Sequence, residues 1–144
     1  MKKLLVVLAA LLLIPVIGYA SQKLMMPGMW QVTVTVEMTG MPFKMPPQTA
    51  SKCLKPEDVK DPKELIAQNQ KNKDCQISNL KEVGNKVSWS MVCKGQHGAG
   101  SGTGEMIFSH DTYHGTIQMK LTDPNGQPHD MTEHVSGKRT GDCS

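Results

Sequence analysis

The sequence predicts a mainly β fold, an antiparallel up-and-down meander of about seven strands forming a strongly curved sheet or a small barrel. Residues 30–38 alternate strictly between apolar and polar side chains, as a half-buried strand does. Turn-forming residues recur along the chain, with 13 Gly and 9 Pro among 144 residues. A clear helix-start signal occurs at one place, so one short α-helix is expected between the second and third strands.

The first strand covers residues 30–38, where Trp, Val and Met alternate with Gln, Thr and Glu. Prolines between Pro42 and Pro47 then interrupt the strand pattern, because proline has no N–H to donate to a sheet ladder. The second strand is expected at Gln48–Leu54.

The helix begins after Asp61, at the sequence Asp61-Pro62-Lys63-Glu64. Asp61 is an N-cap acceptor, Pro62 suits the first helical position, and Glu64 follows the cap by three residues, which together form a capping box. The helix should run to about Asn69. Its few apolar residues allow it to pack on the sheet only along a narrow stripe.

Five further strands are expected, joined by short hairpin connections. They cover residues 75–83, 86–93, 102–109, 113–122 and 128–138. The turns at His110-Asp111 and Asp123-Pro124-Asn125-Gly126 should pair Phe108 with Tyr113, Met106 with Gly115, Met119 with Met131 and Leu121 with His129. The side chains expected on the inward face are Trp30, Val32, Val34, Val36, Ile77, Val87, Trp89, Met91, Met106, Phe108, Tyr113, Ile117, Met119, Leu121, Met131 and Val135.

An export signal precedes this domain. Two lysines and an apolar run open the chain, and small residues lead to a cleavage site after Ala20. We expect residues 1–20 to be a signal peptide and residues 21–144 to be one β-rich domain in the periplasm, with no membrane segment after cleavage. A retained membrane anchor is disfavoured, because the apolar run is short and Pro15 interrupts it.

The charge balance argues against nucleic acid as a partner. Two of the 16 Lys and Arg residues lie in the signal peptide, so the chain beyond Ala20 carries 14 basic and 13 acidic side chains. The remaining lysines are scattered and form no basic stripe of the kind that neutralises phosphates.

The cysteines predict two disulfides. All four lie beyond Ala20, and an even number in a short exported chain favours disulfides over zinc, since C-x-x-C is absent. A hairpin turning near Gly84 would set Cys75 opposite Cys93, although a two-residue turn would shift that register by one. Cys75–Cys93 with Cys53–Cys143 is the favoured pairing. Cys53–Cys75 with Cys93–Cys143 stays open.

Several segments resemble the domain of unknown function 3617 family of small exported bacterial proteins. They are MMPGMWQVTVTVEMTGMP, MPPQTASKCLKPEDVKDP, GNKVSWSMVC, SGTGEMIF and SGKRTGDC, and they follow one another through nearly the whole exported chain. The resemblance implies a secreted, cysteine-containing, β-rich domain that is typically periplasmic. It implies no activity and no catalytic residue.

The inward face is the candidate ligand site. A curved face lined by methionine and aromatic side chains suits an apolar or amphipathic small molecule. The side chains expected to contribute are Trp30, Trp89, Met91, Met106, Phe108, Met119 and Met131.

Methionine is abundant, with 11 residues, and suggests a second candidate site. Met38, Met41 and Met45 fall in or beside one loop, and thioethers are soft ligands suited to Cu(I). His114 and His134 are expected on the outward face of neighbouring strands, close enough to bind a divalent metal if directly paired. An adaptable apolar lip and solvated imidazoles are the simpler interpretations.

Two further features of the sequence are candidates for chemistry. The glycines of GAGSGTG precede a strand rather than a helix, so a flexible connection or a bend, with room for a ligand, fits better than a phosphate loop. Glu133 is expected to be an inward carboxylate, which either a shift in the strand register or a pairing with Lys138 or Arg139 would explain.

The sequence contains no nucleophile motif and no catalytic trio, so we expect a protein that is not an enzyme and needs no cofactor. The leading hypothesis is a periplasmic domain that binds a small apolar or amphipathic molecule or an envelope component. The alternative is a copper-binding protein that uses the Met-rich loop and surface histidines. An interaction module that pairs through a sheet edge near Pro42 to Pro47 is a third class.

Overall fold

The computed structural model describes residues 24–40, 45–69, 74–95 and 98–144, so the expected signal peptide lies outside the described residues. Within them the protein is mainly β, with seven antiparallel strands and a single short helix. The elements are β1 (Gly28–Met38), β2 (Gln48–Leu54), α1 (Pro62–Asn69), β3 (Cys75–Val83), β4 (Lys86–Gly95), β5 (Gly98–Ser109), β6 (Thr112–Thr122) and β7 (Pro128–Gly141).

Strands β5 and β7 extend further than the sequence predicts. Gly98 pairs with Gly95, which starts β5 four residues early, and Gly141 pairs with Met29, which prolongs β7. Glycine has little intrinsic preference for strands, so only the neighbouring strand shows that these residues belong to the ladder.

The strand order is β2-β1-β7-β6-β5-β4-β3, with β2 and β3 at the edges. The predicted simple meander is therefore right from β3 to β7 but wrong at β2 and β3, which do not pair in the described structure. The small-barrel alternative is also wrong, because the sheet stays open there. Each of the six pairings is antiparallel, so β2 and β3 run in the same direction and α1 lies in the return connection.

The two later hairpins have the expected register. Phe108 pairs with Tyr113 and Met119 pairs with Met131, which confirms both predicted turns. In the second turn the backbone N–H of Asp123 donates to the Gln127 carbonyl at 3.0 Å, and Gly126 has a φ of 82°. The Asp123 carboxylate accepts hydrogen bonds from the backbone N–H groups of Gln127 and Asn125, which lower its pKa.

A bulge in β3 changes the register of the β3–β4 hairpin. Val83 pairs with Lys86 across a two-residue turn, which by itself would offset Cys75 from Cys93. A bulge at Asn79, whose φ is 52°, adds one residue to β3 before the cysteines are reached. As a result Cys75 pairs directly with Cys93.

Helix α1 is capped as its sequence predicts, with one difference. The Asp61 carboxylate accepts a hydrogen bond from the Lys63 backbone N–H at 2.8 Å, as an N-cap does. Glu64 instead accepts a hydrogen bond from Gln68 at 3.1 Å, one turn further along the helix. Lys63 forms an ion pair with Glu82 of β3 at 3.5 Å, which fixes the helix beside that edge strand.

The core lies between one face of the sheet and the segments around α1. Trp30 is fully buried, stacks on Tyr113 with ring centroids 5.5 Å apart, and donates its indole N–H to the Met26 carbonyl at 3.0 Å. Burial raises the pKa of Tyr113. The buried core consists of Met25, Trp30, Leu54, Val59, Ile66, Val87, Trp89, Met91, Phe108 and Ile117.

Two disulfides connect the favoured cysteine pairs. Cys53–Cys143 joins the end of β2 to the segment after β7, with Cα atoms 5.6 Å apart. Cys75–Cys93 joins edge strand β3 to β4, with Cα atoms 4.0 Å apart. The two bonds lie at opposite ends of the sheet, and each ties an edge strand to another part of the chain.

Candidate functional site

Alternation along the strands gives the sheet an apolar face and a polar face. The register places every residue of the predicted inward set on the apolar face. Side chains from the segments before β1 and around α1, including Met25, Val59 and Ile66, pack against part of this face. The sequence pattern did not identify these three as core residues, because they lie outside the strands.

The seven residues expected to bind a ligand divide into two groups. Trp30, Trp89, Met91 and Phe108 are at most 4% exposed and belong to the core, where protein atoms already surround them. Met106, Met119 and Met131 are half-buried. Contact with a bound molecule is therefore restricted to the second group and its neighbours.

One corner of the apolar face, which we call the open corner, contains side chains that are only half-buried. It lies where β6, β7 and β1 run side by side, away from the edge strand that α1 contacts. Its residues are Val34, Val36 and Met38 of β1, Met131, Glu133 and Val135 of β7, and Met119 and Leu121 of β6.

Three methionines form a row across the open corner. Met131 of β7 pairs with Met38 of β1 on one side and with Met119 of β6 on the other. We call these three residues the methionine row. The sequence showed the pairing of Met131 with Met119 but placed Met38 with the loop methionines, since the β1–β7 pairing cannot be read from local spacing.

Glu133 lies in the adjoining row of the same face. It pairs with Val36 on one side and with Ile117 on the other, and it is half-buried. Burial raises the pKa of the Glu133 carboxyl, because the charged form loses solvation. Within the described residues no ion pair or hydrogen bond compensates this charge.

The pairing expected for Glu133 is not formed. Arg139 instead donates a hydrogen bond to the Pro27 carbonyl at 2.7 Å and forms an ion pair with Asp142. Lys138 lies on the polar face, opposite Gln31 and Thr112. Glu133 therefore remains an uncompensated carboxylate on an apolar surface.

The glycines of β5 create a close approach between strands rather than an empty space. A side chain at Gly104 would collide with the Trp89 ring, and one at Gly102 would collide with Met119. Neighbouring side chains thus occupy the room that the glycines leave, which corrects the idea that a ligand fits there. No phosphate-binding geometry results, since β5 continues as a strand.

The described chain also contains two adjoining depressions, of about 790 and 560 Å³, lined mainly by polar-face residues. They share Ser90, Thr103 and Gln118. Met119 and Met131 also belong to the lining of the smaller one, but the strand register places their side chains on the opposite face of the sheet. Sequence reasoning missed both, because serine and threonine on a strand are equally typical of a plain solvated face.

The expected metal ligands do not come together as predicted. His114 pairs with Ser136 and His134 pairs with Thr116, so the two histidines are diagonal neighbours rather than direct partners. His134 lies 3.3 Å from the Thr116 hydroxyl. Met45 precedes β2, and Met41 lies outside the described residues.

Two kinds of feature are absent from the described ranges. These ranges contain no group of three or more His, Cys, Asp and Glu side chains that could hold a metal ion. No helix among them is long and apolar enough to cross a membrane.

Comparison with known proteins gives one match. No curated protein and no solved structure matches the chain. A family model described as a protein of unknown function, DUF3617, matches residues 25–143, a range that includes all seven strands, the helix and the four cysteines. The chain therefore belongs to the DUF3617 family.

Proposed function

We propose that this protein is a non-enzymatic periplasmic domain that binds a small apolar or amphipathic molecule, of the kind present in a bacterial envelope, at the open corner. The observation that carries the proposal is the unequal cover of the apolar face. Its core residues are buried by protein, whereas the side chains of the methionine row are only half-buried.

The chemistry of the open corner supports such a ligand. Val36, Met38 and Met131 offer a contiguous apolar surface, and methionine adapts its shape to different partners. Two disulfides support an oxidising compartment, in agreement with the expected signal peptide.

Methionine methyl NMR tests the proposal directly. The protein is labelled with ¹³C at the methionine methyl groups and titrated with dodecyl glucoside below its critical micelle concentration. We expect the signals of Met38, Met119 and Met131 to shift, while those of the core residues Met25 and Met91 stay in place. Shifts spread over all methionines, or no shifts, would contradict the proposal.

A pair of variants sharpens the test. Met131→Gln places an amide in the centre of the methionine row and should weaken binding of dodecyl glucoside. Met26→Gln is the matched control, because Met26 is 39% exposed and lies outside the open corner. Equal loss of affinity in the two variants would show that the amphiphile binds elsewhere.

Copper binding is a second candidate, favoured by the methionine row itself. Met38, Met131 and Met119 lie on three adjacent strands, which are about 4.8 Å apart, and their flexible thioethers are soft donors that suit Cu(I). This set replaces the loop methionines and histidines that the sequence suggested. It retains Met38 alone from the earlier group.

Ag(I) is the appropriate probe for this candidate. It is as soft as Cu(I) and needs no reductant, so both disulfides stay intact during the titration. We expect one Ag(I) to bind per chain. Met131→Leu should lower Ag(I) affinity at least about tenfold, because even the loss of a residue that only orients a metal ligand usually has an effect of that size. Met106→Leu, on the same face but outside the row, should leave Ag(I) affinity unchanged.

A further inference from the structure

We propose that the ligand of the open corner is an amphipathic molecule with a cationic head, and that Glu133 binds its ammonium group. This inference rests on the proposed function and names the ligand class. Its basis is the pattern of compensated and uncompensated charges on the apolar face.

Besides Glu133, the Asp, Glu, Lys and Arg residues of this face in the described structure are Arg139, Glu82 and Lys52, which lies opposite Trp30, and each of these three has an interaction partner. Arg139 forms an ion pair with Asp142, and Glu82 forms one with Lys63 at 3.5 Å. Glu133 has neither an ion pair nor a hydrogen bond. The unbalanced charge on the apolar face is therefore negative.

The surroundings of Glu133 make this imbalance costly. Val36 and Ile117 flank it across the strands, and Met131 and Val135 flank it along its own strand. A half-buried carboxylate among such side chains loses hydration without gaining a partner. A cation beside it would restore the lost interaction, because a charge-assisted hydrogen bond is strong in a partly desolvated site.

The dimensions of the open corner favour a single small amphipath over a membrane surface. From β6 to β1 the corner spans two strand spacings, about 10 Å. From Val34 to Met38 it extends four residues, about 14 Å. An alkyl chain can lie on the methionine row while its head group reaches Glu133 in the adjoining row.

Three amphiphiles with the same chain and different heads test the proposal: dodecylammonium, dodecyl glucoside and dodecanoate. Each is titrated into the purified protein at neutral pH below its critical micelle concentration, and affinity is followed by the methionine methyl signals. We expect dodecylammonium to bind at least about tenfold more tightly than dodecyl glucoside, and dodecanoate to bind most weakly.

Two variants assign the effect to Glu133. Glu133→Gln keeps the shape of the side chain and should remove the difference in affinity between dodecylammonium and dodecyl glucoside. Glu82→Gln removes a carboxylate of the same face that is already paired, and should retain that difference. Intact methyl spectra of both variants establish that they are folded.

The possible results separate this inference from the proposed function. If dodecyl glucoside binds at the methionine row and dodecylammonium binds no tighter, or if Glu133→Gln retains the preference, the cationic-head inference is wrong and the binding site stands. If none of the three amphiphiles binds, both are wrong.

Discussion

Cys75 lies directly opposite Cys93 because β3 contains a bulge at Asn79, whose φ is 52°. The two-residue turn at Gly84 and Asn85 would offset the two cysteines by one residue. The extra residue of the bulge, between Ser78 and Lys81, removes this offset. A local backbone irregularity thus sets the geometry of a covalent bond four residues away. Asparagine suits the position, because it tolerates the left-handed region better than other non-glycine residues.

Replacement of Asn79 by valine should destabilise the protein. A β-branched residue at a positive φ costs about 1–2 kcal/mol, and relief of that strain would shift the register of the cysteines. Asn79→Gly should have a much smaller effect, because glycine adopts this conformation readily. Urea unfolding of both variants with intact disulfides measures the difference. Ser78→Val is the control, since Ser78 is exposed in regular strand; an equal loss there would contradict the role of the bulge.

Alanine at Gly104 or Gly137 should also destabilise the protein. The Trp89 ring covers Gly104 and the Tyr113 ring covers Gly137, so an added methyl group must displace a core aromatic side chain. Overpacking of this kind costs about 1–3 kcal/mol. Gly141→Ala is the matched control, because a Cβ at Gly141 meets nothing within 4 Å. Thermal or urea unfolding that ranks Gly141→Ala with the other two would refute the close approach.

The two disulfides should contribute unequally to stability. Cys53–Cys143 closes a separation of 90 residues and Cys75–Cys93 one of 18 residues. The loss of chain entropy in the unfolded state corresponds to about 4.5 and about 3 kcal/mol respectively. Two double variants each remove one disulfide: Cys53→Ala with Cys143→Ala, and Cys75→Ala with Cys93→Ala. Their free energies of unfolding test which disulfide contributes more. A larger loss for the shorter loop would indicate that edge-strand pairing, rather than loop length, dominates.

Glu133 should make the protein less stable as pH rises. Burial raises the pKa of its carboxyl above the ordinary value, so the folded state holds the proton more tightly than the unfolded state. The stabilising contribution is complete below the unfolded pKa and is lost as pH rises through the folded pKa. Glu133→Gln should remove this dependence and increase the free energy of unfolding at neutral pH.

The control for this pH dependence is Glu105→Gln. Glu105 lies on the polar face and forms an ion pair with Lys86. Urea unfolding across the acid to neutral range should show that the loss of stability with rising pH is retained in this variant. If Glu133→Gln lost stability with rising pH as much as the unchanged protein does, a group other than Glu133 would be responsible.

Local sequence determined the elements and the faces of this protein. The alternation in residues 30–38 identified a strand and the side that it buries, and the Asp61-Pro62 start identified α1, because both signals depend on neighbouring residues alone. Short turns likewise predicted the pairing of Met119 with Met131. Local sequence did not decide between an open sheet and a barrel, and it did not predict the bulge at Asn79 or the adjacency of Met38 to Met131.

Tertiary structure decided which part of the apolar face is covered. Alternation marks Val36 and Trp89 equally as inward residues, yet Trp89 is buried and Val36 is half-buried. The difference depends on where the segments around α1 fold back, and on β7 returning to pair with β1. Such contacts join residues far apart in sequence, and their free energy comes from packing rather than from local conformational preference. The sequence alone therefore predicted an apolar face, and the three-dimensional fold left Glu133 and the methionine row partly uncovered within it.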